Sequence, residues 1–147
     1  RIVSAAGVTN DIPAERAPDG PRWDARHVAT VRAGMRDAVH EPDGSGKRAK
    51  LDGIVVAAKT GTAEYGVKGA GRKMTWMIAF APFDAPRYAV ALLVEDGVSG
   101  GTTAAPRVKQ LLTRTFNEVE GLGLPPVPAP VAPPPVPDAA APEEEPA

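Results

Sequence analysis

Lys59, Thr60, Gly61 and Thr62 form the short run in this sequence whose residue types and spacing best suit chemistry. The run continues an apolar stretch, Ile54 to Ala58, so it falls at the end of a β-strand. A fixed ammonium beside two hydroxyls can hold a carboxylate by charge and by hydrogen bonds. Gly61 has no side chain, so a ligand backbone can lie close along the strand edge. Side chains alternate along a strand. Lys59 and Gly61 therefore share one face, and Thr60 and Thr62 the other. A ligand at the strand edge reaches both sets.

Other groupings carry less. Gly44-Ser45-Gly46-Lys47 is similar to a phosphate-cradling loop, but Glu41 and Arg48 stand where that pattern needs Gly and Ser or Thr. His27 and His40 are thirteen residues apart, without metal-ligand spacing, and read as surface or helix-end histidines. No metal site is expected. Glu41 and Glu64 have no spacing that pairs them for acid–base work, and no Gly-x-Ser-x-Gly elbow exists. Cysteine is absent, which excludes disulfides and thiolate metal sites. A net charge of -1 argues against a nucleic-acid binder held by bulk charge. No stretch approaches the roughly 18 apolar residues of a membrane span.

The elements that must position Lys59 to Thr62 follow from periodicity and punctuation. Ile2 and Val3 suit a short strand, and Asp11 to Pro21 reads as a loop. Val28, Val31, Met35 and Val39 recur at helical spacing, with Asp24 as N-cap and Pro42 as stop. Three β-like runs come next: Ile54 to Thr62, Met74 to Ala81 and Tyr88 to Val94. Their continuous apolar character predicts strands covered on both faces, and their short connections predict an antiparallel meander. Trp76, within the second run, reads as core. Lys68, Arg72 and Lys73 read as a solvated loop. A final helix, capped by Thr102 or Thr103, presents Ala105, Val108, Leu111/Leu112, Phe116 and Val119. The ordered part is thus α+β.

Residues 125 to 147 differ. They hold 10 of the 17 prolines and no aromatic residue, so they bury too little to offset their chain entropy. A disordered, partly polyproline-II tail is expected there, leaving residues 1 to 124 as the folded part. Those 124 residues carry 17 basic and 14 acidic groups.

Val56-Ala57-Ala58-Lys59-Thr60-Gly61-Thr62-Ala63-Glu64 resembles the third motif of penicillin-binding transpeptidases. Trp76 to Pro82 and Pro86 to Glu95 are similar to the next two strands of that family. Gly100-Gly101 to Pro106 is similar to the entry of its last helix, and Val31 to Met35 to the helix before the motif strand. The resemblance covers about residues 1 to 120, in order. Val94-Glu95-Asp96-Gly97 favours the elongation type of class B enzyme, penicillin-binding protein 2. Met74 stands where the family often has His.

The resemblance implies a D,D-transpeptidase that cross-links peptidoglycan stem peptides through a serine acyl-enzyme and is blocked covalently by β-lactams. It assigns Lys59, Thr60, Gly61 and Thr62 to substrate, and two catalytic roles: Lys59, and the backbone N–H of Thr62 in the oxyanion hole. No cofactor is implied. The family's Ser-x-x-Lys and Ser-x-Asn motifs are absent, because Ser4, Ser45 and Ser99 fit neither. The expectation is therefore the C-terminal part of a penicillin-binding/β-lactamase-like transpeptidase domain, inactive alone, with the nucleophile outside this chain. The family's setting is the bacterial inner membrane, facing the periplasm, with the anchor outside this chain and a glycan polymerase as partner. The competing expectation is a β-lactam-sensing or degenerate binding module of the same fold.

Overall fold

The structure, a computed structural model, describes residues 2–3, 9–10, 23–66 and 71–129. The Asp11 to Pro21 loop, Lys68 and the sequence beyond residue 129 lie outside the described residues. Ile2–Val3 (β1) pairs antiparallel with Thr9–Asn10 (β2), a partner that the sequence does not announce.

Helix α1 spans Ala25–His40. Asp24 caps it by accepting from the Arg26 N–H at 2.8 Å. The helix stops at Glu41, just before Pro42, as the restricted backbone ahead of proline requires. Its apolar stripe is only partly used. Val39 is buried, whereas Val28 and Val31 face solvent. Farther up the helix, the Arg32 guanidinium lies 5.3 Å from the ring centres of both Phe80 and Phe83 and donates to the Phe83 carbonyl at 2.6 Å. Cation–π contact, not aliphatic packing, ties that part of α1 to the sheet.

The sheet is the expected meander: β3 Ala57–Glu64, β4 Lys73–Ala81 and β5 Tyr88–Glu95, antiparallel and in that order. Gly61 stands opposite Trp76, and Trp76 opposite Leu93. β3 starts at Ala57 rather than Ile54. The preceding residues form a connection in which Ile54 and Val56 are buried and the Val55 carbonyl accepts from the Phe83 N–H at 2.8 Å.

Helix α2, Ala105–Glu120, covers one face of the sheet. It buries Ala105, Val108, Leu112, Thr113 and Phe116 against Met77, Ala79, Val56 and Val39. Each large side chain so buried stabilises by roughly 1.5–3 kcal/mol. Leu111 and Val119 lie outside this stripe and are exposed. The Tyr88 ring meets Phe116 edge-on at 5.2 Å, and its hydroxyl donates to Glu120 at 2.7 Å.

The expectation of strands covered on both faces is corrected. β4 alternates strictly: Thr75, Met77, Ala79 and Ala81 are buried, while Trp76 (42% exposed) and Ile78 (52%) face outward with Leu93 (43%). The run is apolar on both faces, but among the described residues only one face is covered. Trp76 is therefore not core. Alternation puts it on the side opposite Met77.

A π-helical turn, Gly100–Ala104, precedes α2. Its cap is Ser99, which accepts from the Thr102 N–H at 3.1 Å, not Thr102 or Thr103. The Thr103 hydroxyl instead accepts from the Val98 N–H at 2.9 Å. After α2 the chain turns back at Gly121, whose left-handed φ of 66° suits glycine. The Asn117 amide then clasps Leu124 twice, donating to its carbonyl at 3.0 Å and accepting from its N–H at 2.7 Å. Pro125 to Pro128 follow beside Lys109, Thr113 and Leu51.

Candidate active site

Strand β3 is the edge of its sheet, and its outward side carries the motif. Backbone polar groups alternate sides along an antiparallel strand. The Tyr65 N–H donates to the Arg72 carbonyl at 3.1 Å. With the register, that bond aims the odd-numbered residues of β3 at β4. The N–H and C=O of Thr60 and Thr62 consequently point to the free edge. Lys59 lies on the open face of the sheet, and its ammonium bends round the edge to donate to the Thr60 carbonyl.

The two threonine side chains occupy the opposite face, and each hydroxyl has a partner. Thr60 Oγ1 lies 2.9 Å from Ser45 Oγ. Thr62 Oγ1 accepts from the Gly100 N–H at 3.3 Å. Together with Asp43, Lys47, Arg48, Ser99 and Thr102 they line a cavity of about 360 Å³, rich in hydroxyls and bordered by two cations and one carboxylate. The hydroxyls and the excess of positive charge suit a carboxylate.

Gly61 is hemmed in on both sides. A Cβ there would meet the Trp76 ring at 3.1 Å, so glycine makes room for the indole on the open face. On the other face, a Cβ on Gly100 would lie 2.8 Å from the Gly61 carbonyl oxygen and 2.7 Å from that of Trp76. Gly100 thus brings bare backbone against the strand directly beneath the motif.

A second polar cluster braces the far end of β3. Arg72 donates to both carboxylate oxygens of Asp96, at 3.0 and 2.9 Å, and the Tyr65 hydroxyl donates to Asp96 at 2.9 Å. The Arg72 guanidinium also lies 4.6 Å over the Tyr65 ring. Arg72, and then Tyr65, hold the Asp96 carboxyl below the usual carboxylate range. Burial and the bond to Asp96 push the Tyr65 phenol up. Asp96 keeps this geometry at φ 53°, a conformation that L residues adopt sparingly. Arg72 is therefore an ion-pair partner rather than part of a freely solvated loop.

The remaining candidates fall elsewhere. His40 ends α1 and its Nε2 accepts from the Val56 N–H at 3.3 Å, a helix-end structural role. His27 is exposed on the first turns of the same helix. Glu41 is the C-cap of α1, and Glu64 the last residue of β3. Among the described residues no group of three acidic or histidine side chains could hold a metal ion. No described helix is long and apolar enough to cross a membrane. Sequence reasoning missed Ser45, Gly100 and Asp96. The Gly-Ser-Gly and Gly-Gly pairs were the available signals, since glycine marks close backbone approach.

Known proteins of similar sequence and fold identify the family. Residues 8–113 match the family model of the penicillin binding protein transpeptidase domain. The chain belongs to that family, and its relatives place it among the class B members. It is 33% identical over 108 residues to a probable peptidoglycan D,D-transpeptidase, PenA, of Neisseria gonorrhoeae, covering 69% of this chain and 19% of that protein. Pseudomonas aeruginosa PBP2, solved in complex with WCK 5153, shares 32% identity at a TM-score of 0.59 over 71% of this chain and 22% of that one. Helicobacter pylori PBP2, solved in complex with MreC, shares 31% at a TM-score of 0.53 over 66% and 18%. The chain spans about a fifth of the length of these relatives.

Proposed function

We propose that this chain supplies the Lys59–Thr62 strand of a peptidoglycan D,D-transpeptidase that acylates on serine and is inhibited covalently by β-lactams. One observation carries the reading. The Thr60 and Thr62 peptides point to the free edge of β3, while their hydroxyls enter a polar cavity bordered by Lys47, Arg48 and Asp43.

Acyl transfer needs a nucleophile, a base, an oxyanion site and a clamp on the substrate. In this reading the Thr62 N–H donates to the oxyanion. Removing one such donor typically costs about 3 kcal/mol of transition-state stabilisation. Thr60 and Thr62 hold the substrate carboxylate, and Lys59 attracts it by charge. Gly61 lets the stem peptide lie along the strand. The nucleophilic serine and its lysine come from sequence outside this chain, so residues 1–147 alone form no acyl-enzyme.

The subtype we favour is the elongation enzyme. Val94 to Gly97 and the likeness to two PBP2 structures support it. The membrane partner proposed is a glycan polymerase of the elongation machinery, with the domain on the periplasmic side. The folded unit is taken as residues 1–124, with residues 125–147 as a proline-rich tail whose first residues, Pro125 to Pro128, lie beside Lys109 and Thr113.

Cells of the source organism test this. Membranes are labelled with fluorescent penicillin, denatured, and captured with an antibody to the proline-rich segment. The expected result is a labelled band well above 15.2 kDa. An unlabelled band near 15.2 kDa would defeat the proposal.

A further inference from the structure

The Gly44-Ser45-Gly46 segment has no place in the chemistry described so far, yet the fold holds it against the motif strand. The Gly46 N–H donates to the Ala38 carbonyl at 2.8 Å, which anchors the segment to the last turns of α1. A Cβ on Gly44 would lie 2.5 Å from that same carbonyl, and one on Gly46 would press the Met77 methyl at 3.0 Å. Gly44 is thus needed for the approach, and Gly46 makes it close. Gly101 packs on the Ser45 carbonyl from the other side, closely enough that a side chain there would overlap it. The residue between the glycines is thereby gripped by three elements. Its one free group, the hydroxyl, lies 2.9 Å from Thr60 Oγ1.

From this juxtaposition we infer that Ser45 is a positioning residue that aims the Thr60 hydroxyl at the carboxylate of the acyl donor. The inference rests on the transpeptidase reading above. A hydroxyl has one proton and two lone pairs. When Ser45 donates to Thr60 Oγ1, the Thr60 proton is free to turn into the cavity and meet an anion. The two donations then run in series, Ser45 to Thr60 to carboxylate, and each polarises the next. Without Ser45 the Thr60 hydroxyl can rotate, and its proton is no longer committed to the cavity. The bond itself is exposed and modest. Its effect is therefore on recognition rather than on folding.

The experiment uses the full-length protein and its Ser45→Ala and Ser45→Thr variants. Acylation rates are measured with benzylpenicillin and with its methyl ester, which lacks the carboxylate charge. Ser45→Ala is expected to slow acylation by benzylpenicillin about tenfold, the scale of weakening one hydrogen bond to a charged group. Its rate with the ester and its melting temperature should stay near those of the parent. Ser45→Thr keeps the hydroxyl and should restore the benzylpenicillin rate. An equal loss with both substrates would reduce Ser45 to a structural role and overturn the inference, as would an unchanged benzylpenicillin rate. A parent protein that takes up no penicillin would defeat the transpeptidase reading and this inference together. A parent that does, with Ser45→Ala indistinguishable from it, defeats only this one.

Discussion

Gly100 lies against Gly61 so closely that a Cβ on Gly100 would sit 2.8 Å from the Gly61 carbonyl oxygen. The missing side chain of Gly100 lets a helix-entry turn bear directly on the backbone of the motif strand. Gly100→Ala is expected to destabilise the protein by about 1–3 kcal/mol, the range for overpacking. Gly34, in the middle of α1, has nothing within 4 Å of its would-be Cβ. Gly34→Ala should stabilise by about 1 kcal/mol through helix propensity alone. Opposite shifts in urea midpoint for the two variants would verify the contrast. Matching shifts would disprove the close approach at Gly100.

The Asp96 cluster predicts an acid-sensitive hairpin. The Asp96 carboxyl is held below its ordinary value by Arg72 and Tyr65. A depressed folded value means that its stabilising contribution is complete above the unfolded value, about pH 4, and fades as pH falls through the folded one. Exchange of the Tyr65 amide, which bonds to Arg72, should accelerate below about pH 4 beyond its intrinsic dependence. Asp96→Asn should exchange quickly already at neutral pH and lose that extra acid dependence. An Asp96→Asn protein with the parent's profile would show that the cluster does not brace the hairpin.

Lys59 and Thr62 are expected to separate by magnitude. Thr62→Val removes the hydroxyl that accepts from Gly100 but keeps the main-chain N–H. Penicillin acylation of the full-length protein should fall less than about tenfold, within the worth of one hydrogen bond. Lys59→Met removes the charge and should cost about a hundredfold or more. Stopped-flow acylation rates decide the order, and a larger loss at Thr62 would count against the roles assigned.

Thr113 Oγ1 is buried without a hydrogen-bond partner among the described residues. Thr113→Val removes that orphan at nearly constant volume. It should raise stability by up to about 1–3 kcal/mol, the cost of a buried unsatisfied group. Leu112→Ala, one residue away and fully buried, should lower it by about 2–5 kcal/mol. Thermal melts of both variants supply the check.

The legible part of the fold was local. Apolar runs and short connections sufficed for β3, β4 and β5, and Asp24 and Pro42 for the limits of α1. What stayed hidden was which apolar residues find a partner. Val28, Val31 and Trp76 look like core by spacing or type, yet each is exposed, because burial depends on what stands opposite. In the site, the Lys59 to Thr62 run was readable from its composition. Its supports were not. The Gly100–Gly61 and Ser45–Thr60 contacts join residues tens of positions or at least fifteen apart, and no local period encodes them. Arg72 looked like a loop cation because its partner, Asp96, is 24 residues away.

The Asn117 clasp has a mechanical consequence. Its two bonds to Leu124 turn the chain back along α2, so residues up to Pro128 run beside Lys109 and Thr113. A pull on the proline-rich segment loads that amide and the helix in shear. Strand β3 lies on the other side of the buried layer and carries none of the tension. Tethering the protein to a bead or a surface through its proline-rich end should therefore leave penicillin acylation unchanged, whereas a tether inserted near Glu64 should slow it.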